Sequence, residues 1–256
     1  MFKQSPKIYL FANWKMYLDY DESNILAHAL SGEVKKFKDA ITMAVFPGAL
    51  AFYPVTQVLS DVKIGTGPQN IYWVDKGGYS GEISAEMYRS AGGKYALVGH
   101  SERRHLFKET NHETREKLEA ALNAGLIPVL CVGETLKERK DGEAEKVVEI
   151  QLRALLDNLK WPAKRELIIA YEPVWAIGTG EACDPGEAEK MHRFIYKAAL
   201  EFLKVEPVML YGGSVRPNNV ADYLQKPHIR GVLVGGASAK LESWLEIIKS
   251  ALSLKQ

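Results

Sequence analysis

The chain has 256 residues, of which 46% are hydrophobic and 25% charged, and its formal net charge is +1. That balance suits a globular protein and gives no electrostatic case for nucleic acid or a membrane surface as a partner. Two cysteines, Cys131 and Cys183, make no disulfide framework and fit a reducing compartment.

From the N-terminus, the first short apolar run is Ile8–Ala12. Seven more follow: Ile41–Phe46, Val62–Gly65, Tyr95–Val98, Leu126–Val132, Leu167–Tyr171, Pro207–Leu210 and Gly231–Val234. Most lack polar alternation, which predicts strands covered on both faces. Pro128 is awkward in a central strand, because it has no N–H to donate. Amphipathic helices lie between the runs. Val148, Leu152, Leu155 and Leu159 form one stripe at helical spacing. Leu241, Trp244, Leu245 and Ile248 form another. Asp184-Pro185-Gly186-Glu187 supplies an N-cap, a proline at the first helical position and a capping carboxylate. Helix signals after Ile41–Phe46 and after Ser214 are weaker.

Eight strand–helix units predict an α/β fold, a (β/α)8 barrel of about 250 residues. A doubly wound parallel sheet is the alternative. No linker, repeat or low-complexity segment divides the chain, so residues 1–256 read as a single domain. Met1 to Leu10 lacks a signal-peptide pattern. No apolar run approaches the roughly 20 residues that span a bilayer. A cytoplasmic protein with no membrane partner is the expectation.

Active sites of such barrels form where strands end and the following loops begin. That rule ranks residues by position. Asn13 and Lys15 follow the first strand, and Gly99, His100, Ser101 and Glu102 the fourth. Glu172 follows the sixth, Gly212, Gly213 and Ser214 the seventh, and Gly235 and Gly236 the eighth. Pro173 biases Glu172 toward extended geometry. A carboxylate at a strand end, beside a loop bearing Gly178 and Gly180, suits a general base. A solvated glutamate is the alternative. His100 opens a polar helix start, where the helix dipole favours a neutral ring able to donate to a carbonyl. A core histidine is its alternative. Lys15 can face an anion, and Asn13 can donate to an oxyanion. The two glycine turns lie where this fold commonly binds phosphate through backbone N–H groups. Gly178 adds another donor if its loop closes. The six histidines show no metal-ligand spacing, and no GxGxxG follows the first strand. No metal and no cofactor is expected. Cys131 ends the fifth strand and reads as a small packed hydrophobe rather than a nucleophile.

Several segments are shared with one family. They are Asn13-Trp14-Lys15-Met16, Gln69-Asn70, Gly81-Glu82-Ile83-Ser84 and Val98-Gly99-His100-Ser101-Glu102-Arg103-Arg104. Further along come Val129–Leu136, Ala170–Gly180, Tyr211-Gly212-Gly213-Ser214-Val215 and Val234-Gly235-Gly236-Ala237-Ser238. Together, in this order over nearly the whole chain, they resemble the triosephosphate isomerase family.

The resemblance implies a TIM barrel that interconverts dihydroxyacetone phosphate and D-glyceraldehyde 3-phosphate. Glu172 then matches the base and His100 the neutral electrophile. Lys15 matches the cation that supports substrate charge, and Asn13 a nearby donor. Gly178, Ser214, Gly235 and Gly236 match the phosphate grip. Glu102 matches a charged residue behind the reacting groups, and Cys131 stands behind them as well. The loop that would close over the site departs from the family pattern at Glu181-Ala182-Cys183. Ser80 and Ala239 are smaller departures. Two other readings stay open: a Schiff-base aldolase using Lys15, or a noncatalytic barrel that binds sugar phosphates or a protein partner.

Gln69 to Glu82 makes a connection of about 14 residues after the third strand, longer than the usual 2–6. It carries Ile71, Tyr72, Trp73 and Tyr79. Aromatics are enriched at interfaces, and the resemblance implies a homo-oligomer built on a homodimer. In it, Tyr79-Ser80 packs near the partner's first active-site loop.

Overall fold

The computed structural model describes residues 7–35, 37, 41–177 and 182–255. Strands and helices alternate through it. β1 (Ile8–Asn13) leads to α1 (Tyr20–Val34), and β2 (Ile41–Phe46) to α2 (Phe52–Ser60). β3 (Gly65–Thr66) is followed by a long connection and α3 (Ala85–Ser90). After β4 (Tyr95–Val98) come α4 (Ser101–His105) and α5 (Asn111–Asn123). After β5 (Ile127–Val132) come α6 (Leu136–Lys140) and α7 (Ala144–Leu156). β6 (Leu167–Tyr171) leads to α8 (Pro185–Leu203), and β7 (Pro207–Tyr211) to α9 (Val220–Leu224). β8 (Gly231–Val234) leads to α10 (Leu241–Leu252).

The strands pair in parallel in the order β3-β2-β1-β8-β7-β6-β5-β4. β1 pairs with β8, Phe11 opposite Leu233, which makes a (β/α)8 barrel rather than a doubly wound sheet. The β3–β4 join has no regular ladder. Lys94 N–H donates to Thr66 O at 2.8 Å, and Leu97 N–H to Pro68 O at 3.0 Å. Gly67 allows this approach, since a Cβ there would lie 2.7 Å from Tyr95 O.

The missing polar alternation has a simple cause: each strand buries both faces. Phe11, Phe46, Tyr95, Leu97, Val129, Ile168 and Leu210 fill the barrel interior. Their neighbours Leu10, Val45, Val98, Leu130 and Ile169 pack outward against the helices. Each fully buried aliphatic side chain contributes about 1.5–3 kcal/mol, so the two layers dominate stability. Val148, Leu152 and Leu155 of α7, and Trp244 and Ile248 of α10, are fully buried in the outer layer.

Three expectations need adjustment. Of Val62–Gly65, only Gly65 belongs to the third strand. Val62 and Ile64 belong to the turn that ends α2, each N–H bonded to Leu59 O, with Lys63 at φ 61°. Their apolar side chains fill the outer core instead. Pro128 does lie in β5. Ile127 N–H points to Lys94 O on the β4 side, so position 128 turns toward β6, where pairing starts only at Val129. The missing N–H therefore breaks no ladder bond. Finally, α8 is capped by Asp184 Oδ1, which accepts from the N–H groups of Gly186 and Glu187. Glu187 turns outward to Lys190 and Arg139.

Candidate active site

The C-terminal ends of the strands bring distant residues to one cavity of about 300 Å³. Asn13, Lys15, His100, Glu172, Ser214, Gly235 and Gly236 all line it.

Glu172 directly follows β6, and its N–H donates to Val132 O at 2.8 Å. Its side chain is only 2% exposed. Two glycines make room for it. A Cβ on Gly133 would lie 1.8 Å from Glu172 O, and one on Gly212 would lie 2.9 Å from Glu172 Cγ. The carboxylate is held at both oxygens. Ser101 N–H donates to Oε2 at 2.8 Å, and His100 Nε2 stands 3.0 Å from Oε1. Burial by itself pushes the Glu172 carboxyl pKa up. His100, the Ser101 N–H and Lys15 outweigh it, and the net direction is down. The Glu172 carboxyl is therefore desolvated yet held in its ionised form.

His100 caps α4, and Glu102 N–H donates to its Nδ1 at 3.3 Å. An accepting Nδ1 carries no proton, so a neutral ring has its hydrogen on Nε2. That N–H faces the cavity and Glu172.

Lys15 adopts φ 48°, a left-handed conformation that costs a non-glycine residue about 1–2 kcal/mol. Three contacts hold it there. Asn13 Oδ1 accepts from Lys15 N–H at 3.1 Å. Gln69 Nε2 donates to Lys15 O at 2.7 Å. Lys15 Nζ pairs with Glu102 Oε1 at 2.7 Å. Gly235 backs the side chain, since a Cβ there would lie 3.1 Å from Lys15 Cε. The ammonium group is thus aimed at the cavity by strained backbone.

Ser214 lies on the opposite wall, with both its donors engaged. Its N–H and Oγ–H reach Ala176 O at 3.1 and 2.6 Å. Gly178 lies outside the described residues, as do Thr179, Gly180 and Glu181. Cys131 is fully buried in the barrel interior. Burial first, and the Glu172 charge second, push its thiol pKa well up, so it packs as a neutral group.

The family model for triosephosphate isomerase matches residues 8–251. The chain belongs to the triosephosphate isomerase family. A triosephosphate isomerase of Protochlamydia amoebophila is 41% identical over 96% of this chain and 94% of its own length. One of Endomicrobium trichonymphae is 42% identical over 93% of this chain and 96% of its own. One of Thermus thermophilus is 40% identical over 96% and 99%.

Within this triosephosphate isomerase family member, three supporting side chains escape inspection of the sequence. Gln69 holds Lys15. Glu134 Oε1 accepts from Trp175 Nε1 at 2.9 Å and from Tyr171 Oη at 3.1 Å, anchoring the chain on both sides of Glu172. Gln151 on α7 clamps Gly133 with two hydrogen bonds of 2.9 Å, one to its N–H and one to its carbonyl. Gly133 is the floor beneath Glu172. Gln69 and Glu134 lie inside the shared segments, which is their one signal in the sequence; Gln151 lies outside them and has none. Among the described residues, no helix is long and apolar enough to cross a membrane.

Proposed function

We propose that the chain interconverts dihydroxyacetone phosphate and D-glyceraldehyde 3-phosphate through an enediolate, with Glu172 as the base and His100 as the electrophile. One observation carries this reading: a buried, ionised carboxylate and an imidazole Nε2–H meet at 3.0 Å on the wall of one cavity.

The chemistry follows from that pair. Glu172 takes a proton from the carbon beside the carbonyl. The C–H electrons form the C=C bond, and the carbonyl π electrons move to oxygen. His100 Nε2–H and the Lys15 ammonium stabilise that oxyanion, with Asn13 donating nearby. The hydroxyl proton then passes to the former carbonyl oxygen, its O–H electrons form the new C=O bond, and the C=C electrons take the abstracted proton back at the adjacent carbon, which gives the isomer. The proton and the electron pair stay within one substrate, so the reaction calls for no cofactor. Ser214, Gly235 and Gly236 are the proposed phosphate contacts. Ser214 would exchange Ala176 O for a phosphate oxygen. Glu102 holds Lys15 in readiness, and Cys131 packs behind Glu172.

The proposed working form is a cytoplasmic homodimer of single-domain barrels. Met16, Leu50, Tyr53, Tyr79, Leu106 and Phe107 are 44–97% exposed in one chain. A second groove of about 570 Å³ runs behind Asn13, Lys15, His100 and Glu102 and is walled by Leu106 and Phe107. The partner's Tyr79 tip is its proposed occupant.

A coupled assay for both directions of triose phosphate isomerisation tests the reading. Absence of turnover in the folded chain would overturn it. Borohydride trapping with substrate tests the aldolase alternative, since a Lys15 Schiff base would be fixed as a stable adduct.

A further inference from the structure

Arg104 lies on α4, four residues past His100. The residue is only partly exposed, and burial pushes its pKa down, against the opposing charges of the surrounding acidic groups. It nonetheless remains far within the cationic range. Its polar contacts are all neutral. Nε donates to Gly99 O at 2.8 Å, and Nη1 donates to Asn111 Oδ1 at 2.6 Å. Nη2 is buried without a hydrogen-bond partner. Among the described residues, no carboxylate forms an ion pair with it.

A buried cation without a contacting carboxylate is expensive. The nearby carboxylates are already matched. Glu109 pairs with Lys117 and Arg103, and Glu102 pairs with Lys15. The Arg104 guanidinium reaches instead to the turn Gly99-His100-Ser101, whose Ser101 N–H and His100 ring stand at the two oxygens of Glu172.

Arg104 also grips that turn directly. Gly99 sits at φ 72°, and a Cβ on it would lie 2.7 Å from Arg104 Nη2 and 2.6 Å from Thr114 Cγ2. Arg104 N–H donates to His100 O at 3.2 Å. The guanidinium therefore fixes the peptide that enters His100, and the following N–H, from Ser101, fixes Glu172.

We infer that Arg104 is a positioning residue for this reaction: its guanidinium braces the Gly99–His100 peptide, and through that turn it sets the places of the His100 ring and of the Ser101 N–H that holds Glu172. The inference rests on the isomerase reading above. Arg104 does not touch substrate space. It acts through His100 and Glu172.

Two variants test it. Arg104→Met removes both the brace and the charge at similar length. Replacing a buried charge by an apolar side chain is often neutral for stability, so the variant should fold. Its kcat should fall roughly 10- to 100-fold, the scale of a small misplacement of reacting groups. KM should change less than about 3-fold, because ground-state binding is retained. Arg104→Lys keeps the charge and loses the fork, so its kcat should lie between those of Arg104→Met and the wild type. The Ser101 amide and His100 ring resonances should shift in both variants. A folded Arg104→Met protein with kcat within about 2-fold of wild type overturns the inference. If Arg104→Met does not fold, the same limit applied to Arg104→Lys decides. Loss of turnover that merely tracks a smaller active fraction, counted by titration with an enediolate analogue, also overturns it. A wild-type chain without isomerase activity overturns the functional reading instead. The resonances then still decide whether Arg104 braces the turn.

Discussion

Ser101 donates its backbone N–H to Glu172 Oε2 at 2.8 Å, across 71 positions of sequence. The neighbouring residue, His100, stands at the other oxygen of the same carboxylate. One turn therefore carries the proposed electrophile and also holds the proposed base. The two groups face each other directly, so on the proposed reading substrate comes between them, replacing a hydrogen bond to each with one to itself.

Replacing Glu172 with alanine should lower turnover by at least ~10²-fold, the lower end for a positioned base. Glu172 lies at the barrel rim, outside both hydrophobic layers, so the circular dichroism spectrum should be retained. Near-normal turnover in the folded variant removes Glu172 from the mechanism.

His100→Gln should slow turnover by roughly 10²-fold, the scale for losing one donor to a developing oxyanion. In the wild-type protein, ¹⁵N spectra of the ring should show the hydrogen on Nε2 and an accepting Nδ1. A hydrogen on Nδ1 would contradict the role assigned to the ring.

Two glycine substitutions should separate activity from stability. A Cβ on Gly212 meets the flexible Glu172 side chain at 2.9 Å. Gly212→Ala should displace the base and cost roughly 10-fold in kcat with little change in Tm. A Cβ on Gly133 meets backbone instead, at 1.8 Å from Glu172 O. Gly133→Ala should cost about 1–3 kcal/mol or more in stability, measured by urea unfolding. Equal behaviour of the two variants would count against this account of how Glu172 is seated.

Stability should depend on pH through His192. This α8 residue is fully buried, with Nδ1 2.7 Å from Ala188 O and its ring edge-on to Tyr171. Burial pushes its pKa down to about 4. The unfolded chain binds the ring proton near pH 6.5. Between those values the unfolded state holds more protons, so stability falls as pH drops from 6.5 toward 4. The total loss from this group is roughly 3 kcal/mol. Urea unfolding at pH 7 and pH 4.5 should show a smaller drop for His192→Gln than for the wild type. Identical drops would show that His192 does not contribute.

Assembly should govern activity. Light scattering and turnover, followed together through a dilution series, should fall in parallel as the dimer dissociates. A fully active species of monomer mass would refute the dimer proposal.

The parts of this molecule that were legible in its sequence share a physical cause. Strands buried on both faces must be continuously apolar, so β1, β2, β4 and β6 stand out without help. Val62 and Ile64 mislead because apolar side chains at a helix end fill the same core as those of a strand. At the site, position decided. Asn13 ends β1, and Lys15, His100 and Glu172 fall just past strand ends; the barrel gathers them onto one cavity. Gln69, Gln151 and Arg104 act through side-chain bonds to backbone groups. Gln69 reaches Lys15 over 54 positions, and Gln151 reaches Gly133 over 18. No periodicity records such a bond. Ser214 illustrates another limit: its place in the cavity was readable, but the engagement of both donors by Ala176 O was not.

The join between β3 and β4 has a mechanical consequence. Two backbone hydrogen bonds, from Lys94 and Leu97, stand where other neighbouring strands share a ladder. Barrel breathing should begin there, and amide exchange at these two positions should be faster than at the β1–β8 join. The connection that carries Tyr72 and Tyr79 leaves the barrel at this same place. Anything that grips that connection therefore also staples the cylinder shut along its weakest line.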